Sequence, residues 1–151
     1  MTAILPNFAL IAAFTSIVLA QAVKVPLHWI VSKSWNAERG FSTGGMPSSH
    51  SAGVASLAAA IGMMDGVTSS VFAIAVVVGV ITMYDAAGIR RHAGIHATFI
   101  NRILRSHPAE LQQGKEVNVL KEMLGHRPIE VVAGAVFGVL VSLLLHYVVY
   151  P

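Results

Sequence analysis

The sequence predicts an all-α integral membrane bundle of about four transmembrane spans with shorter interfacial or re-entrant helices, and three observations carry that prediction. Hydrophobic residues make up 55% of the chain and charged residues only 11%, against about a quarter charged in a soluble domain. Mean hydropathy is +0.70, and the apolar residues gather into long runs. All ten Lys and Arg fall within 24–39 and 90–127, so the cations are kept to two segments. At 151 residues the chain reads as one domain, 1–151, large enough for a single core. It has no Cys, which removes disulfides and thiol chemistry. A net charge of +3 without a basic run interleaved with aromatics gives no reason to expect a nucleic acid partner.

Ile4–Val23 is nearly continuous apolar sequence, and 20 residues of helix reach about 30 Å, the thickness of the hydrocarbon core. No Lys/Arg leader or small-residue cleavage site precedes it, so it reads as a retained span. Lys24 closes this run, and Val25–Trp35, with Trp29 and Trp35, reads as an interfacial segment. Ser51–Met64 is short and rich in Ala, Gly and Ser, which suits close packing at the centre of a bundle. It spans only if its preceding turn starts below the interface. Asp65-Gly66 predicts a tight turn, Val67–Tyr84 a third span and Ile129–Tyr150 the last. In that last span Gly134 and Gly138 form a G-x-x-x-G face that suits either a homodimer or packing within one subunit. Val117, Leu120 and Leu124 predict one face of a short helix ending at Gly125, with Lys115, Glu116, Lys121 and Glu122 as its solvated remainder. With four alternating spans both basic segments share one side, which the positive-inside rule places in the cytoplasm.

Chemistry concentrates where Ser42-Thr43-Gly44-Gly45-Met46-Pro47-Ser48-Ser49-His50 turns from a polar loop into a helix. Gly44 and Gly45 permit close backbone approach, Pro47 presets a first helical turn, and Ser48 or Ser49 can cap it. A helix start of that kind is an anion site, and His50 stands beside it as a candidate acid. The plainer reading is a capped helix with a polar His at its mouth.

In the second polar segment Asp85, Gly88, His92, His96 and Ile103 fall near one helical face flanked by Arg90 and Arg91. An alternative makes Asp85, His92 and His96 a metal set. His126 and Arg127 before Pro128 suit a helix-start turn or a reach toward a bound phosphate. Glu130, close to a membrane boundary, suggests an ion pair with Arg90, Arg91 or Arg127. His28, His107 and His146 read as interfacial polar residues. Cations and imidazoles around an anion cradle, with Lys24 at the end of the first span, suit phosphoryl transfer.

These residues also carry a resemblance. Pro47-Ser48-Ser49-His50 resembles the P-S-G-H motif of the type-2 phosphatidic acid phosphatases and vanadium-dependent haloperoxidases, and Arg90 with His96 resembles their S-R-x5-H. Gly44–Ala52, Tyr84–Gly94 and Leu124–Val131 are similar to the divergent branch of that superfamily, the acid phosphatase/vanadium-dependent haloperoxidase-related proteins, over nearly the whole chain.

The resemblance implies a metal-free and cofactor-free phosphohydrolase acting on a lipid phosphate or pyrophosphate through a phosphohistidine. His92 or His96 would be the nucleophile, His50 the acid, and Asp85 a further catalytic residue. Lys24, Gly45, Ser48, Ser49, Arg90, Arg91 and His126 would bind phosphate. Ser49 replaces the motif Gly, Ile89 the motif Ser, no K-x6-R-P is present, and Ile100 stands where an Asp should follow His96. A different class of function is a non-catalytic bundle that binds an anionic lipid headgroup or an assembly partner.

Overall fold

A computed structural model describes residues 7–33, 44–106, 119–122 and 124–149. Among the described residues every regular element is a helix: α1 (Phe8–Ser32), α2 (Ser49–Met64), α3 (Ser70–Ala87), α4 (Ile89–Ser106) and α5 (Pro128–Val149). Stretches Phe8–Ile30, Ser70–Ser106 and Pro128–Val148 are long and apolar enough to cross a membrane. The protein is an all-α membrane bundle.

Polar side chains start the helices by satisfying amides that have no intrahelical acceptor. Asn7 Oδ1 accepts from Leu10 N at 3.1 Å, Ser48 Oγ from Ser51 N at 3.3 Å, and Ser69 Oγ from Phe72 N at 3.2 Å. In α5 the Glu130 carboxylate does the same for Arg127 N at 3.0 Å. Gly66, at φ +83, makes the expected turn between α2 and α3.

Three expectations change. The first span does not stop at Val23: α1 runs 25 residues through Pro26 to Ser32, which places Lys24 inside it with 3% of its surface exposed. The segment expected to be interfacial is therefore largely a continuation of α1, with Trp29 exposed on it, while Trp35 lies outside the described residues. The expected second span is α2, whose 16 residues reach about 24 Å, short of the roughly 30 Å hydrocarbon core. It is a short central helix among three longer apolar ones. Residues 119–122 are not helical, because the Asn101 side chain holds Leu120 as a neighbouring strand would. Asn101 Nδ2 donates to Leu120 O at 2.8 Å and Leu120 N donates to Asn101 Oδ1 at 3.0 Å. Glu122 is not merely solvated, since its carboxylate accepts from Asn101 Nδ2 at 2.8 Å and Thr98 Oγ1 at 3.3 Å. Lys115 and Glu116 lie outside the described residues.

The short helix is the centre of the bundle. α2 packs against α1, α3 and α5, whereas among the described helices α4 touches only α3. Phe8 and Ala12 of α1 are buried with Ala60 of α2 and packed on by Met63 and Leu145. The Phe8 and His146 rings meet edge to face at 5.6 Å. Thus the start of α1 and the ends of α2 and α5 share one end of the bundle, and the polar groups gather at the other.

The Gly134/Gly138 face is used within the subunit. A Cβ at Gly134 would lie 2.3 Å from Ser48 O, and one at Gly138 would lie 2.1 Å from Ala52 O. Both glycines are buried, so of the two uses this face suited, the structure takes packing within one subunit. The same geometry makes a prediction. Gly138→Ala should cost about 1–3 kcal/mol, the usual range for overpacking, because it meets backbone. Gly53→Ala should cost less, because its Cβ would meet the flexible Ile17 side chain at 2.6 Å. Thermal unfolding of both variants in one detergent checks this ranking.

Candidate functional site

The polar end of the bundle is assembled from two glycine-bearing turns that lie against each other. In the first, Gly45 adopts φ +91 and the chain passes through Pro47 into the N-cap Ser48. Ser48 is fully buried, and its amide donates to Glu130 O at 3.0 Å. Its hydroxyl accepts from Ser51 Oγ at 3.0 Å as well as capping the helix. Ser48 is thus committed to the α2–α5 junction rather than presented to a ligand. The amides of Ser49 and His50, in the first turn, are those that helix geometry leaves for an anion.

In the second turn Gly125 has φ +76, and a Cβ there would lie 2.3 Å from Arg91 N and 2.7 Å from Arg90 C. Only glycine lets this turn press onto the first turn of α4. A Cβ on Gly44 would come within 3.3 Å of Gly125 O, so the two turns touch. His126 N then donates to Ala86 O at 2.9 Å, satisfying a carbonyl at the end of α3.

These ties bury His126, which is 2% exposed, with its ring edge-on to His50 at 5.9 Å between centroids. Neither Nδ1 nor Nε2 of His126 has a hydrogen-bond partner. A buried polar atom without a partner is rare and calls for an explanation. Burial, followed by the charges of Lys24, His50 and Arg90, lowers its pKa to about 4. The imidazole is therefore neutral at physiological pH and keeps a free lone pair.

Around this pair stand the expected cations. Lys24 lies within electrostatic reach of Glu130, and the Glu130 carboxylate accepts from Arg127 N at its own helix start rather than from the arginine side chains that the sequence suggested. His50 lies within electrostatic reach of Arg90, Lys24 and Asp85. Arg90 and Asp85 form an ion pair through Nε and Oδ2. Lys24, His50, Arg90, Asp85 and His126 thus come together, with Arg91 on the turn beneath Gly125.

His92 and His96 do not join them. Taking Gly94 as reference, Arg90, Ala97 and Asn101 lie within about 60° of it on α4, while His92 and His96 lie about 160° and 200° away at 100° per residue. Gly94, Ala97 and Asn101 are buried. The two histidines are exposed and line an outer groove with Tyr84, Gly88, Ile89 and Ala93. Among the described residues no three His, Cys, Asp or Glu side chains are placed to hold a metal ion, so Asp85, His92 and His96 do not form the three-ligand set considered above.

A signal for His126 was present in the sequence. Glu130 stands four residues after it, the spacing at which the superfamily motif places a carboxylate after its nucleophile and at which His96 is followed by Ile100. The Glu130 carboxylate is nonetheless not hydrogen-bonded to the imidazole.

Comparison with known proteins identifies a family. The Divergent PAP2 family matches residues 5–141. The chain belongs to that family. It is 42% identical over 154 residues to the "Uncharacterized membrane protein YuiD" of Bacillus subtilis (strain 168), covering 95% of this chain and 97% of that protein. No solved structure matches. The family match takes in α1 to α4, both glycine turns and most of α5, so the whole site lies within it. Family membership and the apolar helices together make this a multi-pass membrane protein related to phosphatases.

The depressed pKa of His126 has a consequence for stability. An unfolded imidazole titrates near 6.5, so between that pH and about 4 the unfolded chain binds a proton that the folded chain refuses. Thermal stability in detergent should fall as pH drops through this window. His126→Gln should flatten that dependence, and melting curves across the window check it.

Proposed function

We propose that the chain is a membrane phosphohydrolase that removes phosphate from a lipid phosphate or pyrophosphate, with His126 as nucleophile and His50 as general acid. The observation that supports this most is a neutral, buried imidazole with both nitrogens unpartnered, set against a second imidazole and beside Lys24 and Arg90. A nucleophilic histidine needs its lone pair free, and a phosphoryl group needs its developing charge offset by cations and helix-start amides.

In the first step the His126 lone pair forms an N–P bond while the P–O bond to the leaving group breaks. The departing oxygen takes a proton from the His50 imidazolium. Water then attacks the phosphohistidine, the neutral His50 accepts its proton, and the N–P bond breaks to release phosphate. Lys24, Arg90 and the amides of Ser49 and His50 hold the phosphate oxygens, and Asp85 holds Arg90 in place through their ion pair. The basic residues at this end favour a cytoplasmic site under the positive-inside rule.

One observation favours a second reading. His126 is 2% exposed while His50 is open, which suits a protein that binds an anionic headgroup at His50 without turning it over. Proteoliposomes assayed for phosphate release from a panel of lipid phosphates, with and without chelator, separate the two. His126→Ala should abolish turnover, and His50→Ala should lose about 10²–10⁴-fold in rate, the usual contribution of general acid catalysis. His92→Ala and His96→Ala should leave the rate near that of the unsubstituted protein. Headgroup binding without phosphate release would support the second reading, and loss of activity with chelator would overturn the histidine mechanism.

A further inference from the structure

α4 is the helix that the bundle does not explain. Its neighbour among the described helices is α3 alone, and its polar side is taken up by Leu120, Glu122 and Leu124 through Asn101, Thr98 and Gly94. The opposite side carries Ile89, Phe99, Ile100 and Ile103, exposed by 64%, 57%, 45% and 55%, and nothing within the described residues covers it.

Its charge says what does. α4 holds Arg90, Arg91, Arg102 and Arg105 and not one Asp or Glu. Arg91, Arg102 and Arg105 lie about 20–80° from Gly94 on the helix, on the flank of the polar side. An apolar stripe on one side with arginines on the other is the pattern of a helix lying in a membrane surface that carries anionic lipid.

The stripe is also continuous with a surface already in lipid. The exposed side of α3 reaches its end at Ile81 and Tyr84, which are 63% and 75% exposed. An aromatic residue at that place suits the boundary between acyl chains and headgroups. The groove of Tyr84, Gly88, Ile89, His92, Ala93 and His96 then carries the surface onto α4. The two helices are separated at Gly88, whose backbone leaves helical geometry at φ −103, ψ −87.

We propose that α4 lies in the headgroup layer of an anionic leaflet, with Phe99, Ile100 and Ile103 among the acyl chains and Arg91, Arg102 and Arg105 at lipid phosphates. His92 and His96 then sit on the lipid-facing side, so these two of the residues that the sequence offers for catalysis belong to membrane contact. This placement of α4 rests on its packing and charge and holds whether or not the polar cluster hydrolyses phosphate.

The chain has no Cys, so single cysteines at 99, 102, 103 and 105 can each carry a spin label in the full-length protein. The labelled proteins are placed in phosphatidylcholine vesicles with and without phosphatidylglycerol. Collisions with oxygen, which concentrates in the bilayer, are compared with collisions with a water-soluble nickel chelate.

Labels at 99 and 103 should favour oxygen, labels at 102 and 105 should favour nickel, and the contrast should grow with phosphatidylglycerol. Replacing Arg91, Arg102 and Arg105 with Gln should remove that growth for the label at 99. Nickel access at 99 and 103 in phosphatidylglycerol vesicles would overturn the proposal, since α4 would then stand in water. Protection from both reagents with spin–spin broadening would overturn it in favour of a second copy of the chain. An unchanged signal in the glutamine variant would overturn the anionic lipid as the partner.

Discussion

The close approach of α2 and α5 is the constraint on which the rest of the structure depends. It is a backbone contact: Gly134 faces Ser48, Gly138 faces Ala52, and Ser48 N donates to Glu130 O across the junction. In lipid the hydrophobic effect does not drive helices together, so contact area between small residues and interhelical hydrogen bonds must do so. α2 is too short to reach across the hydrocarbon core and has its N-cap fully buried. Its start is therefore fixed inside the protein, against the first turn of α5.

That fixed start determines the site. His50 follows the N-cap by two residues, and His126 precedes α5 by two, so clamping the two helix starts brings the imidazoles edge to face. The turn at Gly125 supplies the remaining tie by pressing onto α4 and handing the His126 amide to Ala86 O. The cluster is thus held largely by backbone geometry, and within it Arg90 pairs with Asp85 while both ring nitrogens of His126 are left without a partner. Lys24 reaches it because α1 continues as a helix past Pro26, and Arg90 because it shares the inner side of α4 with Gly94.

One helix accordingly serves two environments. The inner side of α4 holds Arg90 and packs under Leu120, Glu122 and Leu124, while its outer side carries His92 and His96 with the large apolar residues. A stripe of histidines near an arginine pair reads as chemistry in one dimension, yet the same residues face away from the polar cluster once Gly94, Ala97 and Asn101 fix which side is buried.

The sequence by itself determined the all-α membrane class, the helix start at Ser48 or Ser49, the turn at Gly66, and the polar ingredients of the cluster, including His50, Lys24, Arg90 and Asp85. These follow from composition, apolar run length and local capping chemistry, which act over a few residues. Tertiary structure decided which histidine pairs with His50, that Gly134 and Gly138 meet α2 rather than another copy, and that Asn101 holds Leu120 and Glu122 outside a helix. Each of these depends on the rotation of one helix against another or on a hydrogen bond between residues 19 or more positions apart. Periodicity gives the faces of a helix but not which of them a neighbour covers, and here the backbone contacts of three glycines, at 125, 134 and 138, make that choice.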